Sequence, residues 1–201
     1  KTANKNKFEK IKFAPTFTSF DSLEQGEKDQ LNQRYVSKNV DWHKYKQVKI
    51  NPVQLWANSD SNLNKIDQKE LQNLLNYIHA QVTQELSDYF DVTELDGPNV
   101  LNISIALSDG EASCIALEPG STPVPLGIAS AFVKKSSPKL HQLINNTSIE
   151  IKVENIKTPE LFFAGIDSIT NEETNWMRTK ENFDSWAIRF KKELLVCGAG
   201  K

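Results

Sequence analysis

Leu101, Ile103, Ile105 and Leu107 alternate with Asn102, Ser104, Ala106 and Ser108. That period of two predicts a strand with one face in a core. Ile149, Ile151 and Val153 alternate in the same way with Glu150, Lys152 and Glu154, and the turn "NIKTPE" returns residues 161–169 as a hairpin partner. Residues 47–56 place Val48 and Ile50 on one face until Pro52 interrupts, after which Val53 and Leu55 resume. A proline inside a ladder argues for an edge strand or a bulge. Two stretches have helical spacing instead. Leu71, Leu74, Leu75, Ile78, Val82 and Leu86 form a stripe that predicts a helix over 68–90, with Asp67 as its cap and Glu70 as the third-position partner. Phe183, Trp186, Ala187, Phe190 and Leu194 form another, ended by Gly198 and Gly200.

The order strand, helix, strand, loop, hairpin, helix predicts an α+β fold. We expect a small mixed, largely antiparallel sheet of about four strands with two long helices packed on one face. This single domain occupies 34–197, and an extended N-terminal arm over 1–33 precedes it. The arm scatters Phe8, Phe13, Phe17 and Phe20 among polar residues with no period. Residues 198–201 are a tail. Residues 109–146, with "EPGSTPVPLG" at their centre, are an irregular insertion holding the short apolar pieces "IASAFVKK" and "KLHQLI". No repeat of fixed period appears, so a solenoid or propeller is not expected.

Composition narrows the function classes. The 201 residues are 38% hydrophobic, enough for one real core, and the formal net charge of -2 comes from acids and bases mixed along the chain. Such a chain carries no field that would hold nucleic acid. No run approaches the about 18–20 apolar residues of a bilayer span, and Lys1 opens no signal peptide. Cys114 and Cys197 form no CxxC motif. Two free thiols are the simpler reading of them, and one disulfide between Cys114 and Cys197 is the alternative.

Candidate chemistry is sparse. His43, His79 and His141 stand far apart, without metal-ligand spacing, so no metal or other cofactor is expected. "DSNLNKIDQKEL" puts Asp60, Asn62 and Asn64 at calcium-loop positions, but Lys65 stands where glycine is needed and Leu71 where the bidentate glutamate is needed. A polar turn feeding a capped helix explains the same residues. The closing "CGAGK" lacks the Ser or Thr and the helix that a phosphate loop requires. No catalytic residue is expected, and the protein is read as no enzyme.

"RYVSKNVDWHKYKQVKINPVQLW", residues 34–56, concentrates aromatic side chains ahead of the first strand. Asp41 and His43 lack a third group to orient them as a pair. The reading is a structural latch of Tyr35, Asp41, Trp42, Tyr45, Pro52 and Trp56, with Asp41 capping the local turn. A candidate partner surface is the apolar set Val124, Leu126, Ile128, Phe132 and Val133.

With the helix "IDQKELQNLLNYIHAQVTQEL", the strand "GPNVLNISIALSD" and the closing "FDSWAIRFKKEL", the latch stretch resembles, in order, a bacterial lipoprotein family of unknown function, the domain-of-unknown-function family 3313. The spacing of Tyr35, Asp41, Trp42, Tyr45, Pro52, Val53 and Trp56 carries most of the likeness. The resemblance implies an exported protein, lipidated at a cysteine upstream of Lys1 and tethered to the outer membrane facing the bacterial periplasm. The Lys/Asn-rich arm then reads as a spacer between lipid and domain. It brings no catalytic or cofactor residues.

The resulting expectation is an accessory or structural subunit that binds other envelope proteins, such as those of a secretion-system outer-membrane complex. Its docking surface would be apolar residues near 124–135 or an open sheet edge near Pro52. The alternative is a small-ligand binder or enzyme with a pocket between sheet and arm, using Trp42, Trp56 or His43.

Overall fold

The computed structural model describes residues 23–109, 115–117, 120–158, 160–170 and 173–201. Residues 1–22 of the expected arm, with its four phenylalanines, and Cys114 lie outside the described residues.

The long elements sit close to their expected positions. Helix α1 runs Gln68–Ser87 and helix α4 runs Trp176–Val196. Strand β6 is Val100–Ser108, and the hairpin is β8, Thr147–Asn155, with β9, Leu161–Ile169. Residues 47–57 form two short strands, β3 (Gln47–Ile50) and β4 (Gln54–Ala57), both parallel to β6. Parallel pairing requires a crossover, and α1 supplies it.

The architecture is α+β with a mixed sheet, but larger than four strands and two helices. Nine strands among the described residues share the sheet. The others are β1 (Glu24–Gln25), β2 (Gln33–Val36), β5 (Asp91–Val92) and β7 (Ile115–Leu117). The order is β1-β2-β9-β8-β6-β3-β5, with β4 continuing the line of β3 along β6 and β7 beside it. Two short helices, α2 (Leu126–Lys134) and α3 (Pro138–Leu143), accompany the two long ones. The stretch 109–146 is therefore built of a strand and two helices as well as loop. Their length of three to nine residues leaves too few turns for a periodic signal.

Pro52 sits at a bulge. Ile50 lies opposite Ile103 and Gln54 opposite Ala106, so three residues of the β3–β4 line face two of β6. The extra residue resets the alternation, and Val48, Ile50, Val53, Leu55 and Ala57 are all buried in the helix-side core. The edge expected to be open there is closed. His79 of α1 makes a ring-nitrogen hydrogen bond with Ile50 O at 3.3 Å, and Thr93 N donates to Val48 O at 2.9 Å. Ser121 N donates to Val53 O at 2.9 Å, and its hydroxyl accepts from Val53 N at 2.7 Å.

The helices cover one face. Phe163 of β9 meets Phe190 of α4 with ring centroids 5.8 Å apart, and Trp186 stacks on Phe190. The other face presents Asn102 and Ser104 of β6 and Lys152 and Glu154 of β8, half-buried. Farther along that face Ala106, Ala164 and Ile166 are buried too, outside the helix-side core.

The folded part begins before residue 34, because buried charges hold residues 24–33 against the domain. Glu193 of α4 accepts from Arg34 Nε at 3.0 Å and Nη2 at 2.6 Å, and from Leu31 N at 3.2 Å. Asp167 of β9 accepts from Asn32 N at 2.5 Å and pairs with Arg189 Nη2 at 2.6 Å. Both carboxylates are almost wholly buried. Burial pushes the Asp167 carboxyl above the usual range against the pull of Asn32 N–H and Arg189. Between these pairs Leu31 lies fully buried on Gly165, where any side chain would collide with its Cδ1.

Residues 198–201 are docked. Gly198 N donates to Leu195 O at 3.0 Å and Ala199 N to Leu194 O at 3.2 Å, the two bonds of a Schellman motif with Gly198 at φ 96°. Gly200 N then donates to Tyr45 O, and Lys201 N to Tyr89 O.

Three outcomes test this account. Glu193→Gln strands Arg34, which is one-fifth exposed, and is expected to cost about 2–4 kcal/mol in a denaturant titration, whereas Arg34→Met with Glu193→Met recovers much of the loss. Gly198→Ala places a residue at left-handed φ and a Cβ 2.7 Å from the His43 ring, for a loss of about 1–2 kcal/mol. His79 and His141 are held neutral, with burial lowering both below the ordinary imidazole value of 6.5. The unfolded chain therefore binds more protons. Stability is fully present above that value and falls as pH drops through the lower folded values, so the denaturation midpoint is lower at mildly acidic than at neutral pH. Replacing both histidines with Gln flattens the dependence.

Candidate interaction surface

The segment leading into α2 is sewn to α1. Thr122 N donates to Asn76 Oδ1 at 2.7 Å, and Gln72 Nε2 donates to Gly120 O at 2.7 Å and to Asn76 Oδ1 at 3.0 Å. Pro123 and Pro125 stiffen the approach, and Pro125 stands at the N-cap, where its carbonyl accepts from Ile128 N and Ala129 N, both at 3.0 Å. Leu126, Ala129 and Val133, spaced three and four apart, turn inward: Ala129 and Val133 are buried and Leu126 packs on the core.

The other end is held by a carboxylate. Glu70 was expected to close a capping box with Asp67, which does accept from Lys69 N at 2.9 Å and Glu70 N at 3.1 Å. The Glu70 side chain instead accepts from Ser137 N at 2.6 Å and Ser137 Oγ at 2.8 Å, at the start of α3. In this way α2 is fixed to α1 at both ends, and its outward face has one orientation.

That face carries Ile128 and Phe132, one turn apart and 50% and 48% exposed, with exposed Ala131 beside them. Of the five apolar residues read as a partner surface, these two are presented to solvent. Val124 and Leu126 are half-buried against the core, and Val133 is inside it. Leu95, Met177 and Val196 are more exposed still, but Leu95 lies in a loop and Met177 and Val196 stand at opposite ends of α4. Lone apolar side chains are ordinary on any surface, whereas neighbouring ones on a rigid helix make a candidate contact face.

The residues of the latch do not form one cluster. Trp42, 6% exposed, and Tyr45 both set their rings edge-on to Phe162, with centroids 5.8 and 5.4 Å away. Asn155 Nδ2 donates to Tyr45 Oη at 3.1 Å. Asp41 is exposed and its side chain caps nothing. The 3-10 turn Trp42–Lys44 is closed through its backbone carbonyl, and its carboxylate pairs with Lys44 at 3.3 Å. Tyr35 is half-buried on β2, Pro52 is at the bulge, and Trp56 is half-buried on the sheet face away from the helices, donating from Nε1 to Gln54 Oε1 at 3.1 Å. His43 is exposed with its ring over Gly198.

Concavities are shallow and open. A groove of about 370 Å³ runs past Asn51, Gln54, Trp56, Ser104 and Lys152, and a cleft of about 750 Å³ past Arg34, Tyr35, Trp42 and Cys197. The half-buried Cys197 thiol is pushed up to about 11, first by burial and then by Glu193, so it stays protonated near neutral pH. His141 is buried and makes a hydrogen bond at Nδ1 with Thr179 Oγ1 at 2.9 Å. Among the described residues no group of His, Cys, Asp and Glu side chains is arranged to hold a metal ion, and no helix is long and apolar enough to cross a membrane.

If Glu70 and Asn76 hold α2 in place, Glu70→Ala and Asn76→Ala each free buried or half-buried donors and cost about 1–3 kcal/mol. Amide exchange measured by mass spectrometry then rises in 120–137 before it rises in β6 or β8.

No curated protein and no solved structure matches the chain. The family described as "Protein of unknown function (DUF3313)" matches residues 13–190, which include the latch stretch, α1, the whole of α2 and α4 as far as residue 190. With a match across most of its length, the chain belongs to the DUF3313 family.

Proposed function

We propose that this chain is a non-catalytic accessory subunit of a bacterial envelope assembly, held to the outer membrane by a lipid upstream of Lys1, facing the periplasm, and docking a partner protein through α2. One observation carries the reading: Ile128 and Phe132 project from a helix whose two ends are fixed to α1. A rigid helix with apolar anchors four residues apart suits a groove in another protein, because little ordering entropy is lost on binding. Trp42 packs edge-on against Phe162 and is almost wholly buried, which leaves little of its ring for a ligand and gives a ligand-binding or enzymatic reading less support. An outer-membrane secretion complex is the kind of assembly such a subunit would serve.

The test is crosslinking and affinity purification of the full-length protein from detergent-solubilised native envelopes, set beside the Ile128→Asp, Phe132→Asp double variant. A defined set of envelope proteins is expected with the wild type and is lost in the variant. Recovery of the same set with both proteins, or of none with either, overturns the docking role of α2. Metabolic labelling with a fatty-acid analogue checks the anchor, which is expected to label the full-length chain.

A further inference from the structure

Resting on the docking reading above, we propose that the surface received by α2 is acidic: an apolar pocket bordered by carboxylates on a partner protein. The chain has 26 acidic residues, yet none falls within residues 119–149, which hold Lys134, Lys135 and Lys139. All three lysines are exposed, and among the described residues none of the three is held in an ion pair. Lys135 follows Phe132 by three positions and Ile128 by seven, so the cation stands on the same helical stripe as the two anchors. Lys139 lies four residues farther on, in α3.

The carboxylate that the fold brings against this stretch, Glu70, is occupied by the backbone N–H and hydroxyl of Ser137. Glu70 makes no ion pair with any of the three lysines. A cationic rim beside two apolar anchors in a chain of net charge -2 attracts an acidic face and repels a basic one. A bilayer is a poorer fit, because an interfacial helix buries a long apolar face and α2 spans nine residues with two outward bulky side chains.

The experiment places a photocrosslinking amino acid at Ala131, between the two anchors, in the full-length protein in native envelopes. It compares wild type, Lys134→Glu/Lys135→Glu/Lys139→Glu, the matching Lys→Arg triple and Ile128→Ala/Phe132→Ala. The expected result is one crosslinked protein whose joined peptide is rich in Asp and Glu. Its yield falls about tenfold in the charge-reversed triple and is kept in the arginine triple. Raising NaCl from about 0.05 to about 0.5 M lowers the wild-type yield and raises that of the reversed triple, whose repulsion from the acidic face is screened.

Loss of crosslinking in the alanine double variant, with no response to charge reversal or salt, overturns the acidic partner while the docking reading stands. Crosslinks to lipid alone, or no crosslink at all, overturn both. Circular dichroism melting of each variant identifies any that lose their fold, and the arginine triple then carries the comparison together with the salt series.

Discussion

One extra residue at Pro52 sets the phase on which much of this fold depends. Without it, the inward faces of β3 and β4 would point to opposite sides of β6, because a shift of one residue inverts a strand. With it, five apolar side chains from Val48 to Ala57 meet α1 on the same side. On the outer side of this line β5 and β7 are short, and the backbone groups they leave unpaired become attachment points. Ile50 O is met by His79 and Val53 by Ser121. The second of these is the start of the path into α2, so the line of β3 and β4 helps to position the outward helix.

The opposite edge is secured by different means. There the strands are two and four residues long, and apolar burial alone would hold them weakly. Two buried carboxylates on α4 and β9 reach across to backbone N–H groups and to arginines that are themselves partly in water. Such pairs gain little over apolar packing, but they are costly to break one partner at a time, and they hold the Gln30–Asn32 backbone in one register. Leu31 on Gly165 supplies the apolar part of the same contact.

Rigidity of α2 underlies the docking role proposed for its surface. A short amphipathic helix in a loop would fray, since isolated helices of this length are unstable in water. Here Asn76 and Gln72 hold the entry, Glu70 holds the exit, and the inward stripe is in the core. The two outward side chains are then displayed at fixed separation, with lysines continuing the stripe.

Local pattern determined the parts of this protein whose signal repeats over several turns or pleats. Strand β6, the β8–β9 hairpin, helices α1 and α4 and the irregularity at Pro52 were all legible, because alternation and helical spacing follow from backbone geometry alone. The apolar content of 124–135 was legible too. Which of its members face outward was not, because Leu126, Ala129 and Val133 make an inward stripe only once α1 lies beside them. The six-residue latch divided for the same reason: Trp42 and Tyr45 find Phe162 more than a hundred residues away, while Pro52 and Trp56 belong to the sheet. Tertiary structure alone decided the places of residues 24–33, the use of Glu70 and the docking of residues 198–201. Each rests on hydrogen bonds or ion pairs between residues distant in sequence, and such pairs leave no period in the chain that makes them.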